Sequence, residues 1–261
     1  MGEALVGGLL EAGEQSLGDL AIVEPIAARR AELERIFPEV RVTDAPGAAD
    51  GTVIAVKPGD VPGACRAVAA AGSGRVLSIA AGITLATLEE HLADGTPVVR
   101  AMPNTPALVR LGASAIAPGS NAAEADLAWA ESLLAAVGIV VRVKEPLLDA
   151  VTGLSGSGPA YLFLVAEGMI EAGVLAGLPR DVSEVLSVQT LLGAATLLAT
   201  SDDGAEALRA AVTSPGGTTA AGLRVLEQHG LRSALLEAVA AATERSRELG
   251  GGPGQQPQHP L

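Results

Sequence analysis

The chain has 261 residues, 49% of them hydrophobic and 32 of them Gly, with a formal net charge of −13. That length holds one large domain or two smaller ones with an ample core. The negative charge and a 2% aromatic content argue against nucleic acid or anionic membrane as a partner. A single Cys and three widely separated histidines (His91, His229 and His259) exclude an intrachain disulfide and give no metal-ligand spacing. No apolar run free of charge and Gly reaches ~18 residues, and no basic, cleavable leader is present. The expectation is a soluble cytoplasmic protein with no membrane-spanning helix and no metal.

In chain order, Met1 to Leu10 has a helical apolar face at Leu5, Gly8/Leu9 and Ala12, which Gly13 can close. Asp19 to Glu24 is a short apolar run ending in an acid, expected as a strand buried on both faces. Ala27 to Ile36 is a charged helix. Strands are expected at Gly51–Pro58, Arg75–Gly82, Pro97–Met102, Ser114–Ala117 and Gly138–Val143. Helices are expected between them at Val61–Ala71, Leu85–Leu92 and Ala122–Val137. This alternation through residue 144 predicts a doubly wound, Rossmann-like α/β domain with a parallel sheet. Its ligand would lie outside the carboxyl ends of the strands. Those ends are Glu24, Val56-Lys57-Pro58, Ala80-Ala81-Gly82 and Met102 to Pro106.

After Glu145 the strand signals stop. Tyr161–Ala172 is too apolar for a surface helix. In Val182–Leu198, Gln189 falls on the apolar face and would need a buried partner. Ala205–Ala211 is short and helical, and Leu223–Arg247 carries the last helix or helix pair. Residues 145–249 thus form an all-α domain with more apolar surface than it can bury alone, from which a homodimer is expected. Residues 250–261, rich in Gly, Pro and Gln, are expected to be disordered.

Two chemical signals stand out. The stretch Val212 to Gly222 combines Thr213, Ser214, Thr218 and Thr219 with Pro215 and the Gly216-Gly217 pair, and runs into an apolar-periodic helix. Backbone N–H groups and hydroxyls converging at such a helix start suit a carboxylate or phosphate; a plain N-cap and turn is the simpler alternative. The second signal is a dinucleotide loop in part. Gly2 stands where the last glycine of Gly-x-Gly-x-x-Gly would open a helix. The preceding strand and glycines are expected before residue 1. Gly153 to Gly158 resembles a nucleophile elbow or a second dinucleotide loop, but no strand precedes it and no Ser has Gly at both −2 and +2. It is better read as the entry to the next helix.

Several longer segments carry a resemblance. They are Ala55-Val56-Lys57-Pro58, Ser78 to Gly82, Arg100-Ala101-Met102-Pro103-Asn104-Thr105-Pro106, Asp149 to Tyr161, Gly177 to Arg180, Gln189-Thr190 and the Ser214–Thr219 cradle. With Met1 to Ala4, the chain resembles pyrroline-5-carboxylate reductases from residue 1 to about Leu249. The resemblance implies a nucleotide-binding domain, a helical dimerisation domain and a small-molecule substrate, 1-pyrroline-5-carboxylate, reduced to proline by NADPH or NADH. It also implies dimers that often build larger rings. Thr219 is the expected catalytic residue. Ser214, Gly216, Gly217, Thr218, Thr219 and Glu145 are expected to bind substrate. Gly2, Ala55, Val56, Lys57, Pro58, Ala80, Ala81, Gly82 and Asn104 are expected at the cofactor, with Asn104 near the nicotinamide.

Cofactor choice is balanced between two signals. The family resemblance leans to NADPH, and Arg29 and Arg30 could hold its 2′-phosphate. Glu24, ending its strand, favours a free ribose hydroxyl. A catalytically silent dimer is the competing expectation, because the start of the phosphate loop is absent from the chain. A two-domain reductase of hydroxy acids ranks last, since residues 145–261 contain no Lys to catalyse it.

Overall fold

The computed structural model describes residues 1–13 and 20–251. The start of the first expected strand, Asp19, lies outside them, as do residues 252–261 of the tail. By contacts the chain forms two compact units. One is Met1–Ser157 together with the segment from Ala241 on; the other is Gly158–Ala240.

The first unit begins with α1 (Gly2–Ala12), which buries Leu5, Gly8 and Leu9 and is closed by Gly13. Strand β1 (Ala21–Val23), helix α2 (Ala27–Ile36) and strand β2 (Arg41–Thr43) follow. Then come β3 (Thr52–Ile54), α3 (Val61–Ala71), β4 (Val76–Ser78), α4 (Leu85–His91) and β5 (Val98–Met102). Strand β6 (Gly112–Pro118), α5 (Glu124–Ala135) and β7 (Gly138–Arg142) complete the sheet region. The ladders form a five-stranded sheet in the order β3-β4-β5-β6-β7 and a separate parallel pair, β1-β2.

Alternation along the strands divides the core into two layers. Val76, Val98, Ala115 and Ala117 join Val61, Cys65 and Val68 of α3 and Leu85 and Leu88 of α4. Leu77, Val99, Ala101 and Ile116 join Leu5 and Leu9 of α1 and Leu133 and Leu134 of α5. The central strands are therefore covered on both faces, which is why they read as unbroken apolar runs.

Four expectations change. The sheet is mixed: β6 pairs antiparallel with β5, and β7 parallel with β6. Only a short 3₁₀ turn, Thr105–Val109, joins β5 to β6, and that is too short for the crossover a parallel neighbour needs. Strand β1 is not buried on both faces, since Val23 is 44% exposed; its ladder partner is β2 alone. Gln189 is exposed in the single chain rather than buried. The expected absence of a spanning helix also fails as a statement of length and composition. Glu145–Leu175 and Arg180–Thr200 are both long and apolar enough. Mean hydropathy over a helix tolerates the glycines and acids that interrupt an uncharged run.

From Glu145 the backbone stays helical through a 3₁₀ turn, α6 (Leu148–Val151) and a π-helical turn at Thr152–Gly156. The second unit then contains α7 (Gly158–Leu175), α8 (Arg180–Thr200), α9 (Ala205–Ala211), α10 (Thr218–Gln228) and the first part of α11 (Leu231–Gly250). Helices α7 and α8 meet where Ser183 Oγ donates to the Ile170 carbonyl at 2.8 Å. A Cβ at Gly173 would fall on that hydroxyl. Outside this contact the helices expose Leu162, Phe163, Leu164 and Leu175.

Candidate functional site

In the first unit, the parallel strands β3, β4 and β5 end on one edge. Beyond β3, Ala55, Val56, Lys57 and Pro58 are exposed, and Pro58 starts the 3₁₀ turn into α3. The start of α1 lies against this exit: a Cβ on Gly2 would stand 3.1 Å from that of Ala55. The first amide of α1 bonded back along the chain is Leu5 N, to Met1 O at 3.0 Å. The N–H groups of Gly2, Glu3 and Ala4 precede it, and the N-cap, Met1, offers no side-chain acceptor. A small residue and open amides at a strand exit fit a dinucleotide diphosphate.

Beyond β4, Ala80 is buried and Ala81 exposed, and Gly82 turns the chain at φ 73°. The end of α11 rests on this turn, with Leu249 Cβ 3.7 Å from where a Gly82 Cβ would sit. The same helix is held to the unit by Ser246, whose Oγ donates to Asp149 Oδ1 at 2.7 Å.

Beyond β5, Asn104 is 9% exposed. Its Oδ1 accepts from Ala113 N at 2.8 Å and its Nδ2 donates to Ser155 O at 3.0 Å. The amide therefore ties the β5 exit to the start of β6 and to the π-helical turn. Gly156 in that turn packs on Met102, whose Cε would be 2.7 Å from an added Cβ. Turns of this kind recur at functional sites.

Glu145 belongs to this first unit. Its Oε1 accepts from Arg100 Nη1 at 2.9 Å and from Leu85 N at 2.6 Å, at the start of α4. The Arg100 side chain is 8% exposed. A cation in a covered strand demands a carboxylate, and that demand is the signal by which residue-type reasoning could have found Arg100. It was missed, as was the return of α11. Cys65 is buried, which pushes its thiol up and leaves it inert. Arg142 holds the Glu131 carboxyl below its usual range on the exposed surface, remote in role from these exits.

In the second unit, α9 and α10 are joined by the hydroxyl-rich stretch. Thr213 Oγ1 donates to Arg209 O at 2.6 Å, and Gly217 N donates to Ser214 O at 3.0 Å. Gly216 takes φ 70°, and a Cβ on Gly217 would collide with Ser214 Oγ. The first bonded amide of α10 is Ala221 N, to Gly217 O. No side chain caps this helix, so the N–H groups of Thr218, Thr219 and Ala220 point out of its start, with the Ser214, Thr218 and Thr219 hydroxyls close in sequence. Thr219 is half-buried, whereas Ser214 and Thr218 are exposed. A helix start of this kind suits an anion.

The chain is 43% identical over 256 residues to the pyrroline-5-carboxylate reductase of Synechocystis sp., covering 96% of this chain and 95% of the relative. The chain belongs to the pyrroline-5-carboxylate reductase family. The Mycobacterium tuberculosis member is 44% identical over 277 residues, covering 95% and 93%. A family model described as pyrroline-5-carboxylate reductase dimerisation matches residues 145–249, the span that includes the exposed apolar helices. Among solved structures, the pyrroline-5-carboxylate reductase from Coxiella burnetii superposes with a TM-score of 0.90 at 33% identity, covering 96% and 95%. The pyrroline carboxylate reductase of Plasmodium falciparum, solved with NADP bound, superposes with a TM-score of 0.82 at 30% identity over the same shares.

Proposed function

We propose that the chain reduces 1-pyrroline-5-carboxylate to L-proline, the last step of proline biosynthesis, with NAD(P)H as hydride donor. Membership of the reductase family along nearly the whole chain is the observation that carries this reading. When bound, the dinucleotide supplies a hydride to the imine carbon. Gly2, Ala55, Val56, Lys57, Pro58, Ala80, Ala81 and Gly82 line the strand exits that would hold it. Asn104 acts there by fixing the β5 exit through its two hydrogen bonds.

The open N–H groups at the start of α10 and the Ser214 and Thr218 hydroxyls bind the substrate carboxylate. Gly216 and Gly217 give the turn its shape. The Thr219 hydroxyl hydrogen-bonds the ring nitrogen as its charge changes, so its contribution is greater in the transition state than in the ground state. Glu145 supports the substrate pocket, with Oε1 held by Arg100 and Leu85. We assign residues 1–144 to the dinucleotide domain and 145–249 to the substrate and dimerisation domain. The matched dimerisation model and the exposed apolar helices support a homodimer, which further contacts can build into a ring. A cytoplasmic setting suits a reaction on a soluble biosynthetic intermediate.

Purified protein is expected to oxidise NAD(P)H only when 1-pyrroline-5-carboxylate is present. A folded, dinucleotide-binding sample without turnover overturns the reading. Thr219→Ala should lower kcat about 10- to 1000-fold with dinucleotide affinity unchanged, as read by separate turnover and binding titrations.

A further inference from the structure

The exit of β1 faces two kinds of charge, and their engagement differs. The Glu24 amide donates to Thr43 O at 2.9 Å, extending the β1-β2 ladder one residue past Val23. Its carboxylate then folds back: Oε1 accepts from Ile26 N at 2.9 Å, at the entry to α2. The acid is thereby anchored at the strand end and half-buried. Asp44 directly follows Thr43, so a second carboxylate stands in sequence at the same edge. The residues after Glu24 are Pro25 and Ile26, neither of them a cation.

The arginines on α2 are already spent. Arg30 Nη1 donates to the carbonyls of Glu24 and Pro25 at 2.9 and 2.8 Å. Arg29 pairs with Glu32 and with Glu3 in the first turn of α1. The Glu3–Arg29 bridge also shows that the open start of α1 and the β1–α2 turn are neighbours. A dinucleotide whose diphosphate lies at α1 would bring its adenosine ribose toward Glu24.

We propose that Glu24 makes this chain select NADH over NADPH. A fixed carboxylate accepts hydrogen bonds from the vicinal ribose hydroxyls. A 2′-phosphate there would meet Glu24 and Asp44, and find Arg29 paired with two carboxylates and Arg30 turned back onto two backbone carbonyls. The proposal rests on the reading that the strand exits bind a dinucleotide, and the test separates the two.

The full chain is titrated with NADH and with NADPH, following nicotinamide fluorescence, with no substrate present. Wild type is expected to bind NADH about tenfold or more tightly than NADPH. Glu24→Gln keeps an acceptor for Ile26 N and removes the charge. It should narrow the ratio several-fold, chiefly by tightening NADPH. Equal or tighter NADPH binding by wild type overturns the proposal and leaves the dinucleotide reading standing, as does a ratio unmoved in Glu24→Gln. Binding of neither dinucleotide overturns both.

Discussion

Arg100 occupies the middle of a strand covered on both faces, and its carboxylate partner, Glu145, lies 45 residues along the chain. Removing its charge would leave Glu145 facing the start of α4 alone. Arg100→Met is therefore expected to destabilise the first unit by roughly 2–4 kcal/mol. Urea unfolding followed by the fluorescence of Trp129, the sole Trp, checks this. Arg100→Lys should fall between, because it keeps the charge without the planar fork. Stability equal to wild type in Arg100→Met would show the pair to be dispensable. The strand itself was legible from its apolar run, whereas the partner was not, since sequence carries no sign of which distant carboxylate folds onto a buried cation. Asn104 is a similar case. Pro103 and Pro106 on either side of it are sequence signs of a turn, but the use of both ends of its amide to hold Ala113 and Ser155 emerges only in three dimensions.

Among the elements, helices were the most readable. Ala27–Ile36 and Val61–Ala71 were legible at their observed ends, because Pro25 and Pro38 bracket the first, while Pro62 in the first turn and Gly72 past the last punctuate the second. Strand β2 escaped notice, since three residues with one central Val show no periodicity. The direction of β6 also escaped, because it depends on the shortness of its connection rather than on its residues. The junction it forms with β7 makes a sharp demand. Gly138 takes φ 154°, and a Cβ there would fall on the backbone of Gly112 in the neighbouring strand. Backbone cannot rotate aside as a side chain can. Gly138→Ala is expected to part the β6-β7 ladder and lower stability by about 1–3 kcal/mol. A thermal unfolding midpoint unchanged from wild type would refute that close approach.

At the scale of the whole molecule, the sequence announced a change of character near residue 145 and a helical remainder. It did not announce that the chain comes back. The segment from Ala241 on rejoins the first unit, burying Thr243 and Ser246 and laying Leu249 on the Gly82 turn. Periodicity could not distinguish this, since α11 is one helix throughout and only its partners change. Deleting residues 241–261 is expected to lower the unfolding midpoint reported by Trp129, although Trp129 lies more than a hundred residues before the cut. An unshifted midpoint would mean that the returning helix adds nothing.

That return also sets an order of events during synthesis. Domains made early on the ribosome commonly fold before the rest of the chain emerges. Here the sheet, its covering helices and the strand exits are translated before the helical unit, yet the last piece of their own unit is made after it. Until α11 has left the ribosome, the Gly82 turn stays uncovered and Asp149 lacks Ser246. The first unit to be translated is thus the last to be complete, and a ribosome that stalls within the helical segment would release a sheet that had formed but never been closed.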